Sequence, residues 1–221
     1  MEHVVKILAV TYITHDVKRF LVEKPQGYEF VPGQATAVSI NKPNLVDEKR
    51  PFTFTSLPND KHLELVIKIY DDHDGVTREL DLLKADDELI IGPSWGAIQY
   101  KGPGYFIAGG AGVTPFISII RHLHKQDELK DNKLFFANKT SRDIILQDEL
   151  QRYLGSNMLN ILSREDSDEF PTGRIDKAFL KEQVDDFSKQ FYVCGPPQMV
   201  EDVNKTLKEL GASPESVVFE E

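Results

Sequence analysis

Five short stretches of this sequence carry residue types that hold anions or flat rings. Gly109-Gly110-Ala111-Gly112-Val113-Thr114-Pro115 follows an apolar run and precedes a helix-like one. Its glycines strip side chains from a tight turn, Thr114 suits an N-cap, and Pro115 suits the first helical position. Backbone N–H groups and the positive end of a helix dipole converge there, which fits a phosphate. The spacing is not G-x-G-x-x-G, so a closely packed strand-to-helix turn is an open alternative. Arg50-Pro51-Phe52-Thr53-Phe54-Thr55-Ser56 sets a guanidinium, an aromatic and hydroxyls on one extended piece, where alternate residues share a face. Arginine suits a pyrophosphate, phenylalanine stacks on a ring, and a hydroxyl bonds the ring edge; an ordinary strand with a surface arginine is the plainer reading. Asp74-Gly75-Val76-Thr77 offers a turn and cap for a second helix start, either a second anion site or a simple cap. Ser163-Arg164 suits a phosphate monoester or a solvated turn. Cys194-Gly195-Pro196-Pro197 ends a strand in a thiol and a rigid turn, where a cysteine often serves as a small buried apolar residue.

These groups need scaffolds, and the chain supplies two textures. Strand patterns at 6–13, 17–23, 35–40 and 63–70, with turn residues between, predict a small closed antiparallel barrel. Helical spacing covers 78–84. Gly92-Pro93-Ser94-Trp95-Gly96 reads as a turn, with Trp95 either reaching a ligand or capping a core. Beyond it, strands at 105–108, 133–137, 159–162 and 190–193 alternate with helices at 115–124, 144–154, 176–183 and 198–210. That alternation predicts a parallel sheet with ligands at the carboxyl ends of its strands. The expectation is two domains, an N-terminal antiparallel β-barrel over 1–100 and an α/β parallel-sheet domain over 101–221, joined near Tyr100-Lys101-Gly102-Pro103-Gly104.

Composition narrows the classes. At 221 residues with a net charge of −10, the chain is long enough for real cores and is a poor binder of nucleic acid. The single cysteine, Cys194, excludes an intrachain disulfide framework, a cysteine-held zinc site and an iron–sulfur cluster of its own. Met1-Glu2-His3-Val4-Val5-Lys6 has no secretory pattern, and the apolar run over 105–120 is short and broken by glycines and a proline. A cytoplasmic enzyme without a membrane segment is the expectation.

Together the stretches resemble, in order, the motifs of the ferredoxin–NADP⁺ reductase superfamily of flavoproteins, and most closely its stand-alone flavodoxin or ferredoxin reductases. Arg50-Pro51-Phe52-Thr53 is similar to the flavin motif Arg-x-Tyr-Ser/Thr, Gly75-Val76-Thr77 to the flavin-pyrophosphate loop, Gly109 through Pro115 to the nicotinamide-nucleotide loop, and Cys194-Gly195-Pro196 to the Cys-Gly-Pro turn. The resemblance implies FAD in the barrel and NADPH, or NADH, on the second domain. It implies that Arg50, Gly75, Val76 and Thr77 hold the FAD pyrophosphate. Pro51 belongs to the same motif, Phe52 lies along the isoalloxazine, and Thr53 bonds near flavin N5. Gly110, Gly112 and Thr114 hold the dinucleotide, Ser163 and Arg164 take the adenosine 2′-phosphate, and Cys194, Gly195 and Pro196 border the nicotinamide.

The sequence departs from the pattern at two places. Phe52 lacks the phenol of a tyrosine. The end, Val217-Val218-Phe219-Glu220-Glu221, offers Glu220 as a match for the family's acid but no terminal aromatic, so an open nicotinamide face is expected. The implied activity is hydride transfer between NADPH and FAD, with single electrons to or from flavodoxin or ferredoxin, and Thr53, Cys194 and Glu220 nearest the reaction. Such carriers are usually acidic, so docking on a chain of net −10 calls for a local basic face from Lys18, Arg19, Lys42, Lys49 or Lys101. A reductase of free flavin, ferric chelates or an oxygenase component, and a flavin-bearing electron-transfer subunit, are the alternatives.

Overall fold

The computed structural model describes residues 1–70, 75–96 and 98–219. The first half is a six-stranded antiparallel sheet. Its strands are β1 (His3–Tyr12), β2 (Val17–Glu23), β3 (Ala35–Ile40), β4 (Arg50–Thr53), β5 (His62–Lys68) and β6 (Glu88–Trp95), in the order β4-β3-β6-β1-β2-β5. Alternate residues point inward with period two: Val5 and Ile7, Phe20 and Val22, Val38 and Ile40, Leu63 and Leu65, Leu89 and Ile91 form one core. A bridge between Phe54 and Leu65 joins the outer strands and rolls the sheet into a barrel. Phe54 fills the middle, 4.5 Å from Phe30 and 5.7 Å from Tyr28 between ring centres.

The segment 92–96 is not the expected turn. β6 runs through Gly92 and Pro93, and Ala37 of β3 faces both of them, because the register passes from Thr36↔Ser94 to Val38↔Ile91. The bulge accommodates a proline that has no N–H for the ladder. The Gly92 carbonyl accepts from Tyr28 Oη at 2.7 Å and Thr36 Oγ1 at 2.9 Å. Trp95 is exposed and caps no core.

A short helix, α1 (Val76–Asp81), replaces the one expected over 78–84. The second half is a parallel sheet of β7 (Gly104–Gly109), β8 (Lys133–Asn138), β9 (Met158–Leu162), β10 (Gln190–Cys194) and β11 (Val217–Phe219), in the order β11-β10-β7-β8-β9. β11 is a fifth strand beyond the four that the sequence pattern predicts. β7 is buried throughout, as expected of a central parallel strand covered on both faces. Phe106 and Ala108 face α2 (Thr114–Lys125) and α3 (Gln147–Leu154); Tyr105 and Ile107 face α4 (Lys177–Gln183) and α5 (Pro197–Glu209). α3 starts three residues later than the helix expected from 144, because Leu146 takes a left-handed conformation (φ 50°). No helix among the described residues is long and apolar enough to cross a membrane.

The two sheets meet along α2. Ser118 Oγ donates to the Ser56 carbonyl at 2.9 Å, and Arg121 Nη1 donates to the Thr55 carbonyl at 2.8 Å and to Glu64 Oε1 at 2.6 Å. From the other side, Glu149 of α3 accepts from Arg121 Nε at 2.6 Å and Nη2 at 3.0 Å. Burial works against the Arg121 charge, but Glu149 and Glu64 outweigh it and hold the guanidinium above its ordinary range.

Candidate functional site

The strand β4 carries four expected residues along its length. Extended backbone rises about 3.3 Å per residue, so Arg50 and Thr53 stand about 10 Å apart, at opposite ends of an elongated ligand's footprint. Arg50 is exposed, its guanidinium held among the described residues only by the Lys49 carbonyl at 2.8 Å and Glu48 at 3.4 Å. Pro51 pairs with Ala37 on this outer strand, where a missing N–H is harmless. Phe52 is half-buried against the barrel core. Thr53 is buried, and its hydroxyl bonds to none of the described residues.

Gly75 lies just before α1 in extended conformation (φ −131°), with Val76 buried beneath. Thr77 is not a cap. It is the second residue of the helix, and its Oγ1 accepts from the Tyr70 N–H at 3.4 Å.

The glycine turn has the strand–turn–helix form the sequence indicated, with one difference. Gly110–Val113 make a turn of 3-10 helix, so Thr114 is the first residue of α2 rather than its cap. Its hydroxyl donates back to the Ala111 carbonyl at 3.0 Å. Gly110 has φ 52°, and a Cβ added to it would meet nothing within 4 Å, so it faces open space in a conformation that favours glycine. Gly112 is a close approach instead. A Cβ there would lie 2.3 Å from the Cys194 carbonyl oxygen. The structure therefore brings the glycine turn and the Cys194-Gly195-Pro196 turn together, backbone to backbone, at the carboxyl ends of the neighbouring strands β7 and β10. Gly195 packs on Gly109, and Pro196 leads directly into α5.

The Ser163-Arg164 pair lies just past β9, beside the end of β8: Ser163 Oγ donates to the Asn138 carbonyl at 3.2 Å, and the Arg164 N–H to the Lys139 carbonyl at 2.9 Å. Both residues are exposed. Glu165, which follows them, is turned away and accepts from the Ser141 N–H at 2.9 Å and Oγ at 2.8 Å. Glu220 lies outside the described residues.

The expected basic face is largely dismantled. Lys18 is buried and paired to Asp81 at 2.8 Å, Lys49 pairs with Glu2 at 2.5 Å, and Lys42 lies 3.8 Å from Asp87. Each of these three lysines is answered by a carboxylate of the same barrel, whereas no ion pair holds Arg19 or Lys101 among the described residues.

Two residues of the site region are given no role by the sequence patterns. Asn138 has the composition of a loop around it, yet it ends β8, is 5% exposed, and leaves both polar atoms of its amide unpartnered. A buried amide without partners is costly; its place after a strand is the available signal. Arg121 gives none, since its partners are 28, 57 and 66 residues away in sequence.

Family models cover both halves: an FAD-binding domain over residues 2–89 and an oxidoreductase NAD-binding domain over 106–205. The reductase component of propane 2-monooxygenase from Rhodococcus jostii is 26% identical over 97% of this chain, which spans 61% of that protein's length. NADH-cytochrome b5 reductase 2 from Candida glabrata is 30% identical over 92% of this chain and 78% of its own length. The chain belongs to the ferredoxin–NADP⁺ reductase-like family of FAD- and NAD(P)-binding oxidoreductases. The fold of a ferredoxin NADP⁺ reductase from Neisseria gonorrhoeae with bound FAD and NADP matches with a TM-score of 0.87 at 18% identity, over 99% of this chain and 98% of that one.

The residues present in this family member fit its cofactors. Thr53 is a buried residue whose hydroxyl bonds to none of the described residues, beside the half-buried Phe52 ring. Gly110 faces open space, Gly112 lets two turns close on each other, and Asn138 keeps an unanswered amide at the nucleotide end of the sheet.

Proposed function

We propose that this chain takes hydride from NADPH onto FAD and passes electrons singly to a small protein carrier, flavodoxin or ferredoxin. In this reading residues 1–100 carry the flavin and 101–221 the dinucleotide. The supporting observation is the closure of the glycine turn onto the Cys194 turn beside a helix, α2, that is itself bonded to the continuation of the flavin strand. FAD supplies the chemistry that converts a two-electron donor into one-electron output; the protein supplies placement. Arg50 binds the pyrophosphate at the outer end of β4, and Phe52 covers the ring. Thr53 donates its hydroxyl to the ring edge, and Gly75 to Thr77 offer amides to the same pyrophosphate. Gly110, Gly112 and Thr114 line the dinucleotide path, while Cys194, Gly195 and Pro196 shape the nicotinamide pocket at the reacting edge. Holding both rings at contact distance removes most of the entropic barrier to the transfer.

NADPH is favoured over NADH because Arg164 is exposed while the neighbouring acids are engaged elsewhere: Glu165 with Ser141, and Asp166 with Thr172 at 3.3 Å. A guanidinium that pairs with no carboxylate among the described residues suits a 2′-phosphate. Arg164→Ala should lower kcat/KM for NADPH by about tenfold and leave NADH unchanged; equal efficiencies with both nucleotides in the unaltered protein would remove this role.

Service to an oxygenase is the second reading, supported by the propane 2-monooxygenase reductase component among the relatives. NADPH-driven reduction of purified flavodoxin, ferredoxin and oxygenase components, assayed side by side, decides between them.

A further inference from the structure

The catalytic geometry of a two-lobed reductase depends on how its lobes are fixed to each other, and one largely buried group does this here. We propose that Arg121, with Ser118 one turn before it, is the positioning device that sets the nicotinamide site against the flavin site. The inference rests on the functional reading above.

The helix α2 grows directly out of the glycine turn at Gly110–Val113, so its placement is the placement of the dinucleotide loop. Ser118 and Arg121 lie three residues apart and share one helix face. Both bond to the backbone of the residues that continue β4: Ser118 to the Ser56 carbonyl, Arg121 to the Thr55 carbonyl. Thr55 and Ser56 stand two and three residues beyond Thr53, so the bonds grip the flavin strand just past its ring-edge residue. The Thr55 segment is itself pinned. Its N–H donates to the Glu64 carbonyl at 2.9 Å, and its Oγ1 shares Glu64 Oε1 (2.8 Å) with Arg121. On the far side the guanidinium takes both oxygens of Glu149 in a two-point fork that fixes its plane. One side chain thus spans three elements of two lobes. Its 16% side-chain exposure, with 13% for Glu64 and 21% for Glu149, keeps water from substituting for the contacts. A surface ion pair would bring the lobes together loosely; a planar, forked, largely buried one fixes their angle.

The test uses FAD-loaded full-length protein and the variants Arg121→Gln, Glu64→Gln and Ser118→Ala. Oxidised NADP⁺ binding is measured by calorimetry, and flavin reduction by NADPH is followed in a rapid-mixing instrument without oxygen. The expected result is a split. FAD content and the NADP⁺ dissociation constant stay within about twofold, while the limiting reduction rate falls by about tenfold or more in Arg121→Gln, since an ångström of misplacement is enough. Ser118→Ala, which loses one hydrogen bond and keeps the charge network, shows the same split more weakly and serves if Arg121→Gln does not fold. Amide hydrogen exchange on the cofactor-free variants should quicken together over residues 54–57 and the start of α2. An unchanged reduction rate and unchanged exchange overturn the proposal, as does a parallel fall in FAD content, nucleotide affinity and rate. Failure of the unaltered protein to be reduced by either nucleotide would instead sink the functional reading, and the exchange experiment would still report on the lobe contact.

Discussion

At the scale of residues, binding rests on a few groups whose surroundings differ sharply. Arg50 is exposed and lightly held, so removing it should leave the fold untouched and act on the ligand alone. Arg50→Ala is expected to raise the FAD dissociation constant by about tenfold to a hundredfold, the equivalent of about 1.5–3 kcal/mol for hydrogen bonds to a charged group, with an unchanged melting temperature of the cofactor-free protein. Fluorescence titration of FAD checks the first part and a thermal melt the second. Thr53 is the opposite case: buried, with a hydroxyl that no described residue answers. Thr53→Val keeps the shape and removes the donor. It should retain FAD and slow its reduction, and a variant with unaltered reduction kinetics would show that the hydroxyl plays no part at the ring edge. Asn138 follows the same logic on the dinucleotide side. A buried amide with no protein partner costs stability of order 1–3 kcal/mol, so Asn138→Leu should not lower the melting temperature of the cofactor-free protein.

At the scale of elements, the decisive contact is between two turns. Gly112→Ala would drive a methyl group to 2.3 Å from the Cys194 carbonyl, whereas Gly110→Ala meets nothing within 4 Å and bears only the strain of φ 52°. The first should destabilise the protein by at least about 1–3 kcal/mol and weaken dinucleotide binding more than tenfold; the second should cost about 1–2 kcal/mol in backbone strain. Denaturant melts and NADP⁺ calorimetry on both variants rank them, and equal losses would contradict the backbone-to-backbone account. The same scale shows what the sequence could reveal. Strands 17–23 and 35–40 announce themselves through β-branched residues and period-two burial, and the βαβ alternation locates the central strand. β6 stays hidden because Gly92-Pro93 carries a turn's composition while serving as a bulge opposite Ala37. β11 is invisible because three residues become a strand only when β10 offers an edge. Thr114 and Thr77 have the composition of caps, but their hydroxyls are claimed by Ala111 and Tyr70. Which sequence-nominated residues converge cannot be read from the chain: the Gly112–Cys194 approach spans 82 positions and appears only once β7 and β10 are neighbours.

At the scale of the molecule, the join between the lobes carries both stability and geometry. Tyr192 sits at that join, fully buried, accepting from the Lys101 N–H at 2.8 Å and the Gly102 N–H at 3.1 Å and donating to the Gly102 carbonyl at 2.8 Å. Burial pushes its phenol up to about 12 from an ordinary 10. A raised pKa means that the folded state holds the proton more tightly than the unfolded chain. The contribution is therefore complete below pH 10 and is lost as pH climbs from 10 towards 12, on the order of 3 kcal/mol in all. Tyr192→Phe should flatten that alkaline limb in melts recorded between pH 9 and 12, and a limb of unchanged steepness would assign it to other groups. Charge acts at this scale too. With Lys18, Lys42 and Lys49 answered within the barrel, the net charge of −10 works against an acidic carrier. Electron transfer to such a carrier should accelerate with added salt at low ionic strength; a rate that falls instead would reveal an attractive docking face.

The most direct measurement mixes the purified, FAD-supplemented chain with NADPH in the absence of oxygen and follows the flavin absorbance. Stoichiometric FAD binding and rapid bleaching of the oxidised-flavin band are expected, with slower bleaching in Arg121→Gln and in Thr53→Val. A chain that binds no FAD, or one whose bound flavin stays oxidised with NADPH and NADH alike, would contradict that expectation.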